Sequence, residues 1–152
     1  MMMEIRHILA PTDFSEFSKK AIDYAFALAR QFGAKLSLLH VIEVPAFPIE
    51  GFVPTGPGTK LLEDLEHHAR LDLARLLPQA EEEKVDITRL VMMGNPYRKI
   101  VETAEAEEVD FIVMATHGRT GLSHMLIGSV AERVVRTAPC PVLTLRPDVK
   151  AG

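Results

Sequence analysis

The sequence predicts an α/β fold, a doubly wound sheet of five parallel strands in the order 3-2-1-4-5 with helices on both faces. Five short β-prone segments alternate with four segments of helical periodicity, and such alternation is typical of right-handed βαβ units. The second and fourth β-prone segments are nearly continuous in apolar residues, as expected of strands covered on both faces. The chain has 152 residues, 47% hydrophobic and 25% charged, so we expect one domain spanning 1–152.

The first two strands and the helix between them follow from local patterns. "IRHILAP" at 5–11 is a short apolar run ended by proline, and "KLSLLHVI" at 35–42 is the second strand candidate. Between them, apolar residues recur at helical spacing and predict a helix: Phe17, Ala21, Tyr24, Ala25, Leu28 and Phe32. Gly33 follows at the position of a C-cap glycine, which predicts that the helix ends there.

A long connection and a long helix come next. Residues 43–60 are rich in proline and glycine and too long for a simple connector, so a lid over a ligand is one interpretation. The helix that follows is predicted to place six apolar residues on one face: Leu61, Leu62, Leu65, Ala69, Leu73 and Leu76. Pro78 is expected to kink or interrupt this helix.

The second half of the chain repeats the alternation. "VDITRLVMMG" at 85–94 is the third strand, and Asn95 and Pro96 are the predicted N-cap and first position of a helix to about Glu107. Three further elements complete the prediction: a strand at 109–116 ("VDFIVMAT"), a helix from Ser129 to Thr137, and a strand at 140–146 ("CPVLTLR").

Composition excludes several classes of protein. The net charge of −4 argues against a dominant nucleic-acid surface, and a single cysteine excludes an intrachain disulfide or a zinc knuckle. We interpret Cys140 as a packed small residue rather than a reactive thiol. His67 and His68 are adjacent and project from different parts of a helix, so they are interpreted as solvated surface rather than metal ligands. His40, on the second strand, is expected to be packed or hydrogen-bonded.

The amino-terminal segment carries no predicted export or membrane signal. "MMMEIRHILAPTDF" has charges inside its first apolar run and lacks the long apolar core of a signal peptide. No stretch approaches the roughly 18 uninterrupted apolar residues of a membrane helix. We therefore expect a cytoplasmic protein without a membrane partner.

The carboxyl ends of the first and fourth strands are the expected ligand site. In an open parallel sheet, ligands bind at the strand ends where the strand order reverses. If these two strands are neighbours, Asp13 and Gly118 face one crevice, and the helix that begins near Ser129 points its amino terminus at it. Free N–H groups, the positive end of a helix dipole and glycines that allow close approach all favour a phosphate ligand.

Structural interpretations of the same residues stay open at this point. Asp13 with Glu16, and Ser129 with Glu132, have the spacing of helix-capping pairs. The glycines are also compatible with a tight surface loop. His117 and His124 flank the loop and are interpreted as exposed loop histidines, with phosphate contact as the alternative. The motifs GxxxxGK[ST] and GxGxxG are both absent from the sequence.

Longer stretches of the sequence resemble the universal stress protein family. The resemblance covers "ILAPTDFSE", "LLHVIE" and the segment from "GNPYRKIV" to "CPVLTLRP", nearly the whole chain. The ATP-binding members of that family carry the motif Gly-x2-Gly-x9-Gly-Ser/Thr. Gly118, Gly128 and Ser129 match its second, third and fourth positions, Ala115 replaces its first glycine, and Gly121 lies inside the spacer.

The resemblance implies an ATP site. It places Pro11, Thr12 and Asp13 at the ribose or the adenine edge. Val41 would meet adenine through its backbone, and Met114 and Ala115 would line base and ribose. The phosphates, with a bridging Mg²⁺ or Mn²⁺ ion that Ser129 could also contact, would be held by four residues: Gly118, Gly128, Ser129 and Val130 through its N–H. Arg119 is a further candidate, for the γ-phosphate or for solvent.

Alanine at position 115 is the departure that puts ATP binding in doubt. If the position requires a positive φ, the added methyl group would cost about 1 kcal/mol. Affinity would then fall about fivefold. If φ is ordinary, the cost is near zero, and we expect binding to survive.

The fifth strand is expected at an edge of the sheet. An apolar, β-prone edge strand without an internal proline is prone to aggregate unless another strand covers it. Pairing with the same strand of a second copy would produce a two-fold homodimer, which the family resemblance also implies. The predicted interface residues are Val142, Leu143, Thr144 and Leu145.

Three functions remain open from the sequence. The favoured one is an ATP-binding stress-response module with little or no turnover. The second is a slow ATP hydrolase or adenylate-transferring enzyme, although no residue pattern supplies an evident general base or activated nucleophile. The third is a nucleotide-free dimerisation or interaction protein, which Ala115 favours and the intact Gly118, Gly128 and Ser129 oppose.

Overall fold

The computed structural model describes residues 3–43, 57–118 and 127–147, and for 57–59 it describes the backbone alone. Strands and helices alternate through these residues in the predicted order. The elements are β1 (His7–Pro11), α1 (Glu16–Phe32), β2 (Lys35–Ile42), α2 (Pro57–Ala74), β3 (Ile87–Met93), α3 (Pro96–Ala106), β4 (Phe111–Ala115), α4 (Ser129–Thr137) and β5 (Val142–Leu145).

The sheet has the predicted topology. Its order is β3-β2-β1-β4-β5, and each pair of neighbouring strands is parallel. β1 lies between β2 and β4, with Leu9 opposite Ser37 on one side and Ile112 on the other. From β1 the chain adds β2 and β3 on one side, and it then adds β4 and β5 on the other side. The strand order therefore reverses between β1 and β4. In open parallel sheets, a ligand crevice is expected where the connections from two such strands diverge.

The helices cover the sheet in pairs. Alternate residues of each strand point to opposite faces, which produces two apolar clusters. α1 and α2 pack on one face with a cluster that includes Ile8, Ala10, Ile22, Ala25, Leu36, Leu38, Leu73 and Val113. α3 and α4 pack on the other face with a cluster that includes Leu9, Leu39, Ile100, Ala104, Ile112, Met114, Ala131 and Val134. This second cluster lies beneath the predicted ligand site.

α1 begins at a different cap from the one predicted. Ser15 is the N-cap, and its side chain accepts a hydrogen bond from the Ser18 backbone N–H. The capping pair of Asp13 with Glu16 is therefore wrong, because Asp13 lies two residues before the cap. The predicted C-cap is confirmed: Gly33 has φ 65° and ψ 31°, and its N–H donates to the carbonyl of Ala29.

Gly33→Ala is expected to lower the free energy of unfolding by about 1 kcal/mol. The cost comes from forcing an L-residue into the left-handed region, which disfavours a Cβ. A Cβ at this position would meet nothing within 4 Å, so conformational strain is the only contribution. Urea denaturation should show a lower midpoint with an unchanged slope. An unchanged midpoint would contradict the assignment of the left-handed cap.

α2 differs from the prediction at both ends. It begins at Pro57, inside the segment predicted as loop, and ends at Ala74, before Pro78 could interrupt it. Its predicted apolar face is only half buried. Ala69 and Leu73 are buried, whereas Leu61 and Leu65 are 60% and 42% exposed. The helix thus contacts the sheet through its carboxyl-terminal half. Most of the predicted lid lies outside the described residues.

α3 and the strand limits agree more closely with the sequence. Asn95 is the N-cap of α3, its side chain accepts a hydrogen bond from the Arg98 N–H, and Pro96 is the first helical residue, as predicted. β1, β3, β4 and β5 are each shorter than predicted. Within the ranges described, no helix combines the length and apolar character that crossing a membrane requires.

Candidate functional site

The turn between β1 and α1 is built from side chains that bond to their own backbone. Phe14 has a φ of 66°, a left-handed conformation that costs a non-glycine residue about 1–2 kcal/mol. Two side-chain acceptors hold it there. The Phe14 N–H donates to Thr12 Oγ1 at 2.9 Å, and the Ser15 N–H donates to Asp13 Oδ1 at 2.9 Å. The orientation of the Asp13 carboxylate is therefore fixed by the turn itself.

Neighbouring elements support this turn from two sides. On the α1 side, the Thr12 and Ser18 hydroxyl groups lie 2.8 Å apart. On the β2 side, His40 Nδ1 donates to the Thr12 carbonyl at 2.8 Å, and its ring lies 4.4 Å from the Phe14 ring. The expectation that His40 is packed or hydrogen-bonded is confirmed. Its place beside Thr12 makes it part of the support for the site.

The carboxyl end of β4 is also held by a buried polar network. The Thr116 N–H and hydroxyl both donate to the Leu145 carbonyl, at 2.9 and 3.1 Å. The same hydroxyl lies within hydrogen-bond distance of His117 Nδ1, at 2.7 Å. His117 is only 6% exposed, so its interpretation as an exposed loop histidine is wrong. It anchors the strand end instead.

Gly118 and Asp13 meet across the crevice. A Cβ built on Gly118 would lie 2.7 Å from Asp13 Oδ2, closer than real side chains approach. The neighbouring positions of β1 and β4 bring these residues together, as the sequence pattern predicted. A side chain at position 118 would displace the carboxylate that the β1–α1 turn holds in place.

Position 128 has no room for a side chain, although its backbone conformation would suit any residue. Its φ of −60° and ψ of 153° suit any residue. However, its N–H donates to the Thr116 carbonyl at 2.6 Å, and a Cβ would lie 2.9 Å from that same oxygen. Because that oxygen is backbone, it cannot rotate away as a flexible side chain could. The start of α4 thus lies directly against the end of β4.

Among the residues that the structure describes, no side chain caps the amino terminus of α4. Gly128 is the N-cap, no side-chain hydrogen bond caps it, and Ser129 is the first helical residue. The predicted capping box of Ser129 with Glu132 is therefore wrong, and Glu132 pairs with Arg136 at 2.8 Å instead. A helix that begins without a side-chain cap leaves its first-turn N–H groups and positive dipole end for another acceptor.

Ala115 carries no conformational penalty. It is the last residue of β4 and pairs with Leu145 of β5, and its φ is not positive. The strain that alanine would suffer at a glycine-specific position is therefore not present here. The methyl group projects from an ordinary strand residue.

The remaining predicted residues surround the same edge. Pro11 is the buried last residue of β1, and Thr12 is 6% exposed. Val41, Met114 and Val130 belong to the apolar cluster on the α3 and α4 face. Arg119, Gly121 and His124 lie outside the described residues.

The sequence patterns missed several residues that shape the site. Phe14, Ser18 and Thr116 were not singled out, although each bonds or packs within the two networks. The available signal was the run of hydroxyl and carboxylate side chains directly after the first strand. Such residues commonly bond their own backbone at turns.

The described residues hold no cluster of three or more histidine, cysteine, aspartate or glutamate side chains able to bind a metal ion. His67 and His68 are both exposed. Burial, together with the nearby Asp110 carboxylate, raises the pKa of the Cys140 thiol. A raised pKa keeps the thiol protonated and agrees with a packed rather than a reactive residue.

Comparison with known proteins identifies the family. The model of the universal stress protein family matches residues 4–146. The chain belongs to the universal stress protein family. Its curated relatives include universal stress protein MJ0531 of Methanocaldococcus jannaschii, which is 37% identical over 145 residues, 95% of this chain and 84% of that protein.

Solved structures of universal stress proteins share the fold. The structure of MJ0577, from the same organism, superposes with a TM-score of 0.84 at 30% identity and covers 97% of this chain and 100% of that one. A universal stress protein from Archaeoglobus fulgidus, in complex with dAMP, has a TM-score of 0.65 at 20% identity and covers 95% and 100%. The latter likeness establishes the fold alone.

Proposed function

We propose that this universal stress protein binds an adenine nucleotide, ATP in particular, at the crevice between the carboxyl ends of β1 and β4. The observation that carries the proposal is the pair of glycines without room for a Cβ, Gly118 against Asp13 and Gly128 against Thr116. Close-packed glycines beside an uncapped helix amino terminus suit a phosphate chain, which needs backbone N–H groups and close approach.

The proposed roles follow the position of each residue. Gly118, Ser129 and the Val130 N–H would hold the phosphates at the amino terminus of α4, and Gly128, whose own N–H bonds the Thr116 carbonyl, would allow their close approach. Pro11, Thr12 and Asp13 would contact ribose or adenine, where the β1–α1 turn fixes the carboxylate as an acceptor for ribose hydroxyls. Adenine and ribose would pack against three residues at the ends of β2 and β4: Val41, Met114 and Ala115.

A divalent ion would be held mainly by the phosphates. The described residues supply no cluster of metal ligands. Mg²⁺ commonly keeps several waters and binds through substrate phosphates with few protein groups. Ser129, exposed at the first position of α4, is the side chain proposed to reach such an ion. Arg119 remains a candidate for the γ-phosphate.

Two observations support binding over the alternatives. The ordinary φ of Ala115 removes the feature that favoured a nucleotide-free protein. The dAMP-bound relative is one instance of this fold with an adenine nucleotide. We infer little or no turnover, because the sequence supplies no evident general base or activated nucleophile.

We also propose a cytoplasmic homodimer in which each chain is one nucleotide-binding domain. β5 is the edge strand beyond β4, and its outer side carries no further strand among the described residues. Val142, Leu143 and Thr144 are each half-buried in the isolated chain. A second β5 would satisfy the outward backbone groups and cover these side chains.

ATP with Mg²⁺ is expected to raise the thermal stability of the protein. At a concentration of 100-fold Kd, a ligand that binds only the folded state adds about 2.7 kcal/mol. Protein purified without added ligand should first be analysed for bound nucleotide, and GTP serves as the matched control for adenine. Absence of both a shift and co-purified nucleotide would reject the proposal. Labelled ATP over a long incubation then measures turnover.

A further inference from the structure

A cluster of one tyrosine and two arginines, Tyr97, Arg98 and Arg133, lies at the same sheet edge as the predicted crevice. None of the three belongs to the family motif. Tyr97 is the second residue of α3, directly after the carboxyl end of β3. Its ring is half-buried and packs against the apolar cluster that also contacts Val41 and Val130. Tyr97 is therefore on the α3 and α4 face of the sheet, the face to which Val41 and Val130 of the predicted nucleotide site belong.

Two guanidinium groups converge on this ring. Arg98 donates from Nε to the Tyr97 hydroxyl at 3.2 Å, and its Cζ lies 5.8 Å from the ring centroid. Arg133, from α4, places its Cζ 5.1 Å from the same centroid. Each contact restricts an otherwise flexible side chain. The ring thus contacts two cations from different helices.

Neither guanidinium forms an ion pair within the described residues. The hydrogen bond with Tyr97 raises the pKa of Arg98, and the charge of Glu102, the one carboxylate that acts on either guanidinium, contributes to the same shift. Other cations of α3 and α4 are neutralised: Lys99 pairs with Glu102 at 3.2 Å, and Arg136 pairs with Glu132 at 2.8 Å. Both Arg98 and Arg133 are exposed. Since the chain carries a net charge of −4, this unpaired couple is not part of a generally basic surface.

The pKa of the Tyr97 phenol is sensitive to these nearby positive charges. The hydrogen bond from Arg98, with the charges of Arg98 and Arg133, lowers the pKa of the Tyr97 hydroxyl. The amino terminus of α3 adds the positive end of its dipole at the same point. Arg98 uses one of its five N–H donors on Tyr97, so the pair retains several donors that face solvent.

We propose that Tyr97, Arg98 and Arg133 form a second anion site that binds a phosphoryl group. Each guanidinium group contacts the same ring, and a tetrahedral oxyanion can accept several charge-assisted hydrogen bonds from such planar donors at once. Free phosphate and the distal phosphate of a nucleotide offer the same chemistry. The site lies outside the Gly118, Gly128 and Ser129 motif and does not require the proposed nucleotide function.

The phenol provides a direct readout of occupancy. The chain has two tyrosines and no tryptophan, so a Tyr97→Phe variant isolates the ultraviolet absorbance of the Tyr97 phenolate by subtraction. An anion between the arginines offsets their charge and moves the Tyr97 pKa back toward its ordinary value. At a fixed alkaline pH, added inorganic phosphate should therefore lower the phenolate absorbance along a saturable curve. Sodium chloride at equal ionic strength should produce a smaller, unsaturable change.

Arg133→Gln and Arg136→Gln form a matched pair of variants on one helix. We expect Arg133→Gln to weaken phosphate binding roughly tenfold, the loss of one charge-assisted contact. Arg136→Gln should leave the curve unchanged, because Arg136 is already paired with Glu132. Equal phosphate curves for wild type and Arg133→Gln, or a response that sodium chloride reproduces, would overturn the site.

AMP and ATP distinguish the two sources of the phosphoryl group. If the distal phosphate reaches the site, Arg133→Gln reduces ATP binding roughly tenfold and leaves AMP binding unchanged. If a separate anion is the ligand, the ATP-to-AMP preference is the same in wild type and Arg133→Gln, while phosphate binding is weakened in the variant. Failure of AMP and ATP to bind wild type rejects the proposed nucleotide function, and the phosphate titration still decides this site.

Discussion

Replacing Gly128 with valine is expected to abolish the stabilisation of the protein by ATP and Mg²⁺ while the chain still folds. The added Cβ would lie 2.9 Å from the Thr116 carbonyl oxygen, a backbone atom. Thr116 cannot easily give way, because its own N–H is bonded to Leu145 O at 2.9 Å. The start of α4 must therefore move, and with it the N–H groups proposed to bind phosphate.

The expected loss of stability is modest by comparison with the loss of binding. Overpacking of this kind costs about 1–3 kcal/mol, and the φ and ψ of Gly128 add no strain for valine. Ligand binding depends on the placement of several N–H groups at once, so a small displacement removes several hydrogen bonds together. Thermal unfolding with and without ATP and Mg²⁺ measures both effects in one experiment.

Gly33→Ala provides the control for reduced stability. It is expected to cost about 1 kcal/mol at the far end of α1, away from the crevice, and to retain the full ATP shift. Gly118→Ala should reduce the ATP shift less than Gly128→Val does, because the atom that its Cβ would meet at 2.7 Å is a side-chain oxygen of Asp13. That carboxylate can move at the cost of its hydrogen bond with the Ser15 N–H. A full ATP shift in Gly128→Val would remove the phosphate role of α4. Loss of the shift in Gly33→Ala would mean that the assay reports stability alone.

Features with strong local signals were predictable from the sequence. Gly33 and the pair Asn95–Pro96 mark helix ends because backbone geometry at those positions admits few residue types. The sheet order placed Asp13 and Gly118 just after the ends of neighbouring strands, and the structure brings them together. These inferences succeed because each depends on one rule of backbone geometry or topology.

Features that depend on a choice among several capping side chains, or on contacts between residues far apart in the sequence, were not predictable. The segment "DFSEFS" offers several capping side chains, and the left-handed Phe14 decides in favour of Ser15. The burial of His117 depends on a network that reaches Leu145, which is distant in sequence. The contact of Arg133 with Tyr97 requires α3 and α4 to pack side by side, and no local pattern encodes that distance.

Thr144→Pro is expected to convert the proposed homodimer to monomer without unfolding the chain. The carbonyls of Pro141 and Leu145 accept from Ile112 and Thr116 of β4, at 3.0 and 2.9 Å. Since backbone groups alternate along a strand, those of Thr144 point away from β4, toward the outer edge. Proline there removes one outward N–H and leaves the inner ladder intact.

Thr144→Val is the matched control, because it retains the N–H and the β-branched shape. Light scattering at micromolar concentration should report dimer for wild type and Thr144→Val, and monomer for Thr144→Pro. A dimer that survives Thr144→Pro would place the interface elsewhere, and a monomeric wild type would reject the dimer. ATP stabilisation should be equal in the two variants, because Thr144 lies on the outer strand and the crevice lies between β1 and β4. Pairing through β5 would therefore leave each nucleotide site complete within its own chain.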